Sequence, residues 1–326
     1  MKKTKCFLGV FIFTWILFAA FLLPDGVMAG SGNIQIDVVS FNIANGQGKP
    51  NDSKKIVGND YLDLCVKKLD ELKADLIGIQ EVSRHRLTSG YISNDKYIAK
   101  KLNMHSFWDV AYSKALGLLL QQGNAILSRY KLSETKTLRY ESRGDTGGAA
   151  SETRIALISF VEIKGRKIAF VTTHLGFPEE ARAGQVKELL KELSKIKTPL
   201  IVTGDFNTEI GSDSYKLMNE RFDEAWELSG NKTKKITLPF KKDGTGKGID
   251  HIFLSKGDFK VLKTYVLKSG AASDHNILVA ELEMTARKEI TTLKNDAAKG
   301  AEGNETEPAE MNDIFKKLKK GGIGEK

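Results

Sequence analysis

The sequence predicts a mixed α/β (α+β) fold in which many short strands alternate with a few helices. The first observation is a series of apolar segments of strand length, several of them alternating in polarity. The second is a smaller set of longer segments whose apolar residues recur at helical spacing. With 326 residues and 41% hydrophobic content, the chain is long enough for one large domain or two ordinary ones.

The elements are predicted in a regular succession along the chain. Ile36, Val38 and Ser40 share one face of the first strand, and Pro199 marks the entry to a later one. The intervening segments, rich in Gly, Asn, Lys and Asp, are predicted loops, including the stretch that precedes residue 249. Strands are expected at residues 34–41, 75–80, 105–113, 123–128, 134–140, 154–163, 166–173, 200–204, 249–254, 259–268 and 276–283, and helices at residues 61–72, 94–102, 178–196 and 214–219.

The N-terminus has the pattern of an export signal. Lysines 2, 3 and 5 form a basic start, residues 7–23 are apolar, and Val27 and Ala29 form a small-residue cleavage signal. We therefore predict a signal peptide over residues 1–29 and a secreted or cell-envelope location. The apolar run is long for a signal and short for a membrane span, so a retained membrane anchor is the alternative.

Removal of this signal leaves Cys65 as the single cysteine and changes the charge. A single cysteine cannot form an internal disulfide, and Cys65 lies in a helical pattern that predicts a small core residue. Loss of three lysines and one aspartate lowers the formal net charge from +9 to +7. A basic surface suits nucleic acid or acidic lipid headgroups, but it also suits solubility, so the charge alone does not decide between partners.

The composition changes after about residue 285, which divides the exported chain in two. Residues 30–285 are predicted to form one folded domain, whereas residues 286–326 have few large apolar side chains and are predicted to be disordered. Residues 311–320 could form a short basic amphipathic helix, for which weak membrane association is the alternative to a solvated tail. No protein partner can be inferred from the sequence.

The segment around which the chain is organised is residues 200–209. Its apolar strand leads into Gly204 and then presents Asp205 and Asn207, with Phe206 expected on the opposite face. A carboxylate and an amide at a strand end can orient a water molecule and hold a phosphoryl oxygen. The competing interpretation is an ordinary Gly-Asp turn with a solvated carboxylate.

Other predicted strands also carry acidic, amide or imidazole side chains at one of their ends or just before their start. Any one of them has an ordinary explanation, such as a helix cap, a satisfied core histidine or a turn residue. Several such residues in one domain, each abutting a buried apolar strand, are hard to explain by surface polarity alone. They are Asn42, Glu81, His174, Asp250 and the pair Asp274-His275.

These segments resemble the endonuclease/exonuclease/phosphatase superfamily, and they occur in the order typical of that superfamily. The resemblance implies a four-layer sandwich, with two mixed β-sheets packed face to face and helices on both outer faces. The matching segments are Ser40-Phe41-Asn42-Ile43, Ile79-Gln80-Glu81-Val82, Gly123-Asn124-Ala125-Ile126-Leu127-Ser128, Thr173-His174-Leu175, Gly204-Asp205-Phe206-Asn207, Ile249-Asp250-His251-Ile252 and Ser273-Asp274-His275.

The resemblance implies a role for each matching polar residue. Glu81 would be the principal ligand of a divalent cation, with Asn42 and Asp274 as further ligands or orienting groups. Oxygen ligands suit Mg²⁺ or Mn²⁺. Asp205 would orient and deprotonate the attacking water, and Asn207 would hold a phosphoryl oxygen.

The same resemblance implies hydrogen-bond donors to the scissile phosphate. His174 would be one donor, and His275 would be the other, its pKa raised by pairing with Asp250. Arg154 is a candidate phosphate contact, and Arg84 is another, for which an ordinary surface arginine is the alternative.

Two departures from the superfamily pattern bear on the site. Many relatives have a tyrosine or glutamate beside the histidine equivalent to His174, whereas Gln122 and Asn124 lie near the expected place here. Gly248 precedes Ile249-Asp250, where relatives often have arginine. His251, on the opposite face from Asp250, is predicted to be structural.

The leading functional hypothesis is an exported, divalent-metal-dependent phosphohydrolase, most simply a phosphodiesterase or nuclease. A nucleic-acid phosphodiester is the favoured substrate, because the chain is basic and exported. A phospholipid headgroup is the runner-up, and no residue excludes a phosphomonoester. From another class, the chain could be an inactive envelope module that binds anionic polymers, although the intact set of strand-end residues argues against it.

Overall fold

A computed structural model of the chain describes residues 33–49, 60–85, 91–114, 120–142, 153–240 and 245–285. The predicted signal peptide and C-terminal tail lie outside these ranges, so both stay predictions. Within the described ranges, no helix is long and apolar enough to cross a membrane.

The helices and strands follow the predicted order closely. The strands are β1 (Ile34–Asn42), β2 (Leu76–Arg84), β3 (His105–Lys114), β4 (Leu120–Ser128), β5 (Ser133–Arg139), β6 (Ile155–Ile163), β7 (Arg166–His174), β8 (Leu200–Asp205), β9 (Phe222–Glu224), β10 (Leu238–Pro239), β11 (Gly246–Lys247), β12 (Asp250–Ser255), β13 (Phe259–Leu267) and β14 (Ile277–Met284). The helices are α1 (Asp60–Leu72), α2 (Asn94–Leu102), α3 (Glu179–Leu193), α4 (Asp213–Arg221) and α5 (Ala225–Leu228).

Two six-stranded mixed sheets form the framework of the fold. The first sheet has the strand order β13-β14-β1-β2-β4-β3, in which β1 and β2 are parallel. The second has the order β5-β6-β7-β8-β12-β9, in which β7 and β8 are parallel. The other pairings within both sheets are antiparallel. Each parallel pair is joined by a crossover that contains a helix, α1 or α3, as parallel connections require.

Three apolar clusters define four layers. The central cluster joins the inner faces of the two sheets, with residues such as Leu76 from the first sheet against Phe170 from the second. A second cluster packs α1 and α2 on the first sheet, and a third packs α3 and α4 on the second. The predicted four-layer sandwich is therefore confirmed. Cys65 of α1 is fully buried in the second cluster, as its helical position predicted.

The loop predicted before residue 249 is more structured than its composition indicated. Strand β9 and helix α5 lie directly after α4, and β10 pairs with β11 as a short hairpin. These elements are only two to four residues long, too short to produce a recognisable period in the sequence.

Gly78 of β2 lies where the two sheets pack together with no room for a side chain. A Cβ atom at this position would be 2.0 Å from Thr203 Oγ1 and 2.6 Å from Thr172 Oγ1, both on the opposing sheet. We expect Gly78→Ala to destabilise the protein by about 1–3 kcal/mol, because the sheets must separate to admit the methyl group. Urea unfolding measures this loss. Gly176→Ala is the control, since its nearest neighbour would be 3.5 Å away, and an equal loss there would contradict the argument.

Candidate active site

The second sheet brings three of the predicted site residues side by side. His174 is the last residue of β7, and it lies in register with Asp205, the last residue of β8. Asp205 in turn lies directly opposite Asp250, the first residue of β12. All three side chains are buried, with at most 5% of each residue exposed. An imidazole and two carboxylates thus meet at one edge of this sheet.

Glu81 reaches the same place by a local irregularity of the first sheet. The prediction that β2 ends at Gln80 is wrong, because the strand continues to Arg84. Its register with β4 shifts between Ile79 and Val82, so that one extra residue is accommodated, and Glu81 has a φ of 54°. Ile79 and Val82 both pack under the helices of the first sheet. Strict alternation from Ile79 would direct Glu81 toward the helices. The bulge gives that position to Val82, so Glu81 is free to contact Asn42 at the site.

Asn42, at the end of β1, links the two sheets across the site. Its Nδ2 donates to Glu81 Oε1 at 3.2 Å and to Asp205 Oδ2 at 3.0 Å. Its Oδ1 accepts from the backbone N–H of Ala44 at 3.0 Å, and that donor fixes which way the amide faces. Asn42 therefore orients both Glu81 and Asp205 through its Nδ2 group, while its Oδ1 keeps one lone pair for a metal ligand role.

The Asp205–Asn207 segment forms a tight turn around the Asp205 carboxylate. The backbone N–H of Asn207 donates to Asp205 Oδ1 at 3.0 Å, and Asn207 adopts a positive φ of 51°. Asn207 Nδ2 donates to the carbonyl of Leu175 at 2.8 Å, whereas Phe206 is buried in the apolar cluster beneath α3 and α4. The turn fixes both polar side chains at the site and anchors the strand end through Phe206.

His275 forms the predicted pair with Asp250. Its Nδ1 donates to Asp250 Oδ2 at 2.9 Å, and its Nε2 lies 3.6 Å from Asp205 Oδ2. Burial by itself lowers the pKa of His275, but attraction by Asp250, Asp205 and Asp274 outweighs it and raises the pKa to about 10. His275 is therefore a charged donor at neutral pH, with Nε2–H directed toward Asp205.

Asp205 has the electrostatic setting of a base that works near neutrality. Burial is the main cause that raises its pKa, and the neighbouring Asp250 raises it further, whereas His275 and the hydrogen bond from Asn42 lower it. The resulting pKa is about 7. A carboxyl group with this pKa can exchange a proton with water at the pH at which most enzymes act.

His174 is neutral and contacts Arg154. Burial, followed by the positive charges of Arg154 and His275, holds the pKa of His174 well below its usual range. Arg154 Nη1 lies 2.9 Å from His174 Nδ1 and 3.2 Å from Nε2, and Asn207 Nδ2 lies 3.2 Å from Nε2, so donor groups face both ring nitrogens. Nε2 lies 3.4 Å from Asp205 Oδ2. Arg154 is thus the neighbour of His174 that the sequence did not reveal.

Of the two remaining predicted residues, Asp274 lies at the site, whereas Arg84 is paired with another residue. Asp274 is half-buried, accepts a hydrogen bond from Ser273 Oγ at 3.3 Å and lies close enough to raise the pKa of Glu81. Arg84 forms a two-point ion pair with the buried Asp95, at 2.9 and 2.7 Å. Its guanidinium also lies 3.8 Å from the centre of the Trp108 ring. The geometry therefore fits a structural role for Arg84.

Asn45 is a site residue that the sequence analysis assigned to a loop without a role. Its Nδ2 donates to Glu81 Oε2 at 2.9 Å, and its Oδ1 accepts from Ser83 Oγ at 2.7 Å. With Asn42 on the other oxygen, both oxygens of Glu81 are oriented by amides. Asn45 has a positive φ of 60°, a conformation that asparagine adopts more readily than most residues. The presence of an asparagine in this loop is therefore the local sequence signal for such a turn.

A buried charged cluster lies behind the Asp250 strand. Lys235 Nζ donates to Glu224 Oε1 at 2.7 Å and lies 2.7 Å from His251 Nδ1, and His251 Nε2 lies 2.9 Å from the carbonyl of Thr208. His251 is fully buried, in agreement with its predicted structural role. The cluster connects β9, β12 and the turn that carries Asn207, so it helps to hold Asp250 and Asn207 in position.

The donor set at this edge fits a divalent cation. Four carboxylates, from Glu81, Asp205, Asp250 and Asp274, converge near two cationic side chains, His275 and Arg154. Burial is the main cause that raises the pKa of Glu81, so its ionised form needs a cation nearby. In addition, Asp250 Oδ1 is buried with no hydrogen-bond partner among the described residues. Ligand atoms of Asp205, Asp250 and His275 also lie within 4.8 Å of one another, but the charged form of His275 has a proton on each ring nitrogen and cannot bind a metal, so Glu81 remains the principal candidate ligand.

A profile of the endonuclease/exonuclease/phosphatase family matches residues 39–275. The chain belongs to the endonuclease/exonuclease/phosphatase family. Members of this family are phosphoric ester hydrolases that depend on divalent metals and act on phosphodiesters such as nucleic acids. The match spans every predicted site residue from Asn42 to His275. No significant match was found among curated proteins.

Solved structures of the endonuclease/exonuclease/phosphatase family share the fold. A Bacteroides vulgatus member is 21% identical, with a TM-score of 0.62, and the alignment covers 77% of this chain and 100% of that one. The catalytic domain of human Nocturnin is 22% identical, with a TM-score of 0.60 and coverages of 77% and 94%. ANGEL2 is 16% identical, with a TM-score of 0.56 and coverages of 77% and 96%. At these identities the likeness concerns the fold.

Proposed function

We propose that the protein is an exported, Mg²⁺- or Mn²⁺-dependent phosphodiesterase that cleaves P–O bonds with water activated by Asp205. The observation that carries the proposal is the position of Asp205, with a pKa of about 7, at the end of β8, where it meets Asn42 from the end of β1 and His275 from the segment before β14. Export is supported by the leader at residues 1–29. Secretion and the nature of the metal are parts of the proposal.

Each residue has a step that its geometry permits. Asp205 accepts a proton from the attacking water, while Asn42 and the backbone N–H of Asn207 hold its carboxylate in place. His275 donates Nε2–H to a phosphoryl oxygen, and Asp250 keeps its ring charged and oriented. A cation bound by Glu81 would neutralise charge on the phosphate.

His174 and Arg154 complete the set of donors around the phosphate. His174 supplies a neutral N–H, and Arg154 adds positive charge beside it. Neutral and charged donors fixed in a buried site stabilise charge that develops on the phosphoryl oxygens without having to reorganise. This division of roles is consistent with the roles that the superfamily resemblance implied for both residues.

A nucleic-acid phosphodiester is the favoured substrate class. The formal net charge of +9, or +7 after removal of the signal, attracts polyanions. One structural neighbour supports a nucleotide substrate by its description alone, since ANGEL2 is described as a 2′,3′-cyclic phosphatase in complex with adenosine-2′,3′-vanadate.

Metal removal provides the direct test of the proposed function. We expect the purified protein to hydrolyse bis(p-nitrophenyl) phosphate with Mg²⁺ or Mn²⁺, to lose this activity in EDTA, and to regain it when the metal is restored. The rate of p-nitrophenol release is the measurement. The Asp205→Asn variant, assayed in parallel, provides the background from any contaminating hydrolase. Turnover that is unaffected by EDTA would refute the metal dependence.

The two pKa values predict a bell-shaped pH profile for kcat/KM. The basic form of Asp205 accumulates above pH 7, so activity should rise through that pH. The charged form of His275 is lost above pH 10, so activity should fall there. In Asp250→Asn the falling limb should move to lower pH, because Asp250 is the strongest of the influences that raise the pKa of His275. An unchanged falling limb in this variant would show that another group controls it.

A further inference from the structure

A small cleft of about 10 Å³ opens beside the site, on the side of His174 that Arg154 occupies. It lies between the two sheets, lined by β4 of the first sheet and by the start of β6 in the second. Its polar walls are Tyr112, Gln122, Asn124, Arg154 and His174. Arg154 and His174 have roles in the proposed reaction, whereas Tyr112, Gln122 and Asn124 have none.

Gln122 and Asn124 both face this cleft because they are two residues apart on β4. Both are more than nine-tenths buried, with 7% and 2% of the residue exposed. The hydroxyl of Tyr112 donates to Gln122 Oε1, which leaves the Gln122 Nε2 group as a donor with no partner among the described residues. Gln122 Nε2 is not one of the fully buried side-chain atoms that lack a hydrogen-bond partner, so it is open to a molecule that enters the cleft.

Asn124 supplies the complementary atom. Its Nδ2 donates to the carbonyl of Ile155 at 3.0 Å, and because a carbonyl only accepts, this bond fixes the orientation of the amide. Asn124 Oδ1 therefore remains as an acceptor, with no partner in the part of the chain that the structure describes. The cleft thus offers one donor and one acceptor on the same face of β4.

A hydroxyl group is the smallest substituent that satisfies both atoms, since it accepts one hydrogen bond and donates another. The cleft borders His174 and Arg154, so the hydroxyl must lie near the phosphate, on a carbon next to the one that bears the ester. Ribose has this arrangement at its 2′-position, and deoxyribose lacks it. A nucleobase edge also combines a donor and an acceptor, but it lies further from the phosphate.

We infer that Gln122 and Asn124 form a subsite that recognises the ribose 2′-hydroxyl of an RNA phosphodiester. The inference rests on the proposed phosphodiesterase function and names the substrate class of that same site. In the bound state Gln122 Nε2 donates to the hydroxyl oxygen, and the hydroxyl donates to Asn124 Oδ1. The 2′-oxygen takes part in recognition only, and water remains the nucleophile.

The test compares two dinucleotides, uridylyl-3′,5′-uridine and its 2′-deoxy counterpart, by kcat/KM. We expect the wild-type protein to prefer the ribonucleotide roughly 10- to 100-fold, as two neutral hydrogen bonds allow. In Gln122→Met this preference should fall by roughly tenfold. The matched control is Gln121→Met, a glutamine on the opposite face of the same strand, which should keep the preference. The thermal midpoint of each variant establishes that it is folded.

Three outcomes would overturn the inference. Equal wild-type rates on both dinucleotides would mean that water fills the cleft, and an equal loss on both in Gln122→Met would mean that the residue is only structural. A third is a preference for glycerophosphocholine that Gln122→Met abolishes, which would assign the subsite to a glycerol hydroxyl instead of ribose. Hydrolysis of bis(p-nitrophenyl) phosphate, which has no hydroxyl, reports separately on the proposed function.

Discussion

Asp205→Asn is expected to lower kcat roughly 10²–10⁴-fold, the usual cost of removing a positioned base. The asparagine has the shape of the native side chain but cannot take a proton from water. Among the residues that the structure describes, Asp205 is the carboxylate that lies near both Asn42, at 3.0 Å, and His275, at 3.6 Å, so none of those neighbours can replace it without moving. Steady-state hydrolysis of bis(p-nitrophenyl) phosphate with saturating Mg²⁺ measures the loss.

This prediction has a matched control and a folding check. Asp213→Asn changes a surface carboxylate whose side chain is 80% exposed, and it should retain wild-type activity. The thermal midpoint of Asp205→Asn should stay close to that of the wild type. The variant weakens the hydrogen bond from Asn42, but it also removes the repulsion from Asp250, which lies opposite in the sheet. Activity within tenfold of wild type would remove Asp205 from the role of base.

Glu224→Ala is expected to destabilise the protein by about 3–5 kcal/mol, the typical loss when a buried ion pair is broken on one side. Glu224 is 1% exposed, and it is the carboxylate that compensates the buried Lys235 and contacts His251 at 3.2 Å. It also accepts a hydrogen bond from the backbone N–H of Glu227, which caps α5. The free energy of unfolding in urea at pH 7 is the measurement.

The pH of that measurement follows from the pKa of Glu224. Burial tends to raise this pKa, but Lys235 and His251 outweigh burial and lower it to about 2. A lowered pKa means that the stabilisation is complete above the unfolded value of about 4.5 and is lost as the pH falls toward 2. At pH 7 the full effect of Glu224 is therefore present.

Two comparisons distinguish a broken buried pair from a general loss of packing. Glu134→Ala removes the partner of Lys167 from a surface pair in which the Glu134 side chain is 60% exposed, and it should cost less than about 1 kcal/mol. The double variant Glu224→Leu with Lys235→Met should be more stable than Glu224→Ala, because neither charge remains buried. A double variant that is the less stable of the two would contradict the explanation.

The polar site residues at strand ends could be predicted because the sequence pattern that marks them spans only a few neighbouring residues. An apolar run that leads within three residues to a polar side chain is visible at Asn42, His174 and Asp205, and in each case the strand does end there. Glu81 shows the limit of this reasoning. The strand passes through it to Arg84, and only pairing with β4 creates the bulge that directs Glu81 to the site. A bulge depends on the partner strand, which one strand's own residues do not specify.

The buried cluster of Lys235, Glu224 and His251 could not be predicted from the sequence for a related reason. Lys235 lies in a lysine-rich segment that reads as a solvated loop, and its partners are 11 and 16 residues away. Burial of one lysine among several exposed ones is a property of how β9, β12 and the segment around Lys235 pack together. Asn45 and Gln122 are similar cases, because each acquires its role from a contact with another element.

The sequence by itself determined the α+β class, the order of the strands along the chain and the polar residues at their ends. These follow from hydrophobic periodicity and chain breakers, which act over a few residues. Only the tertiary structure decided that β7, β8 and β12 are neighbours, that Arg154 contacts His174, and that Asp205 and His275 have pKa values of about 7 and 10. Charge–charge interactions and burial depend on distances in space, and residues far apart in the chain set those distances only when the sheets pack together.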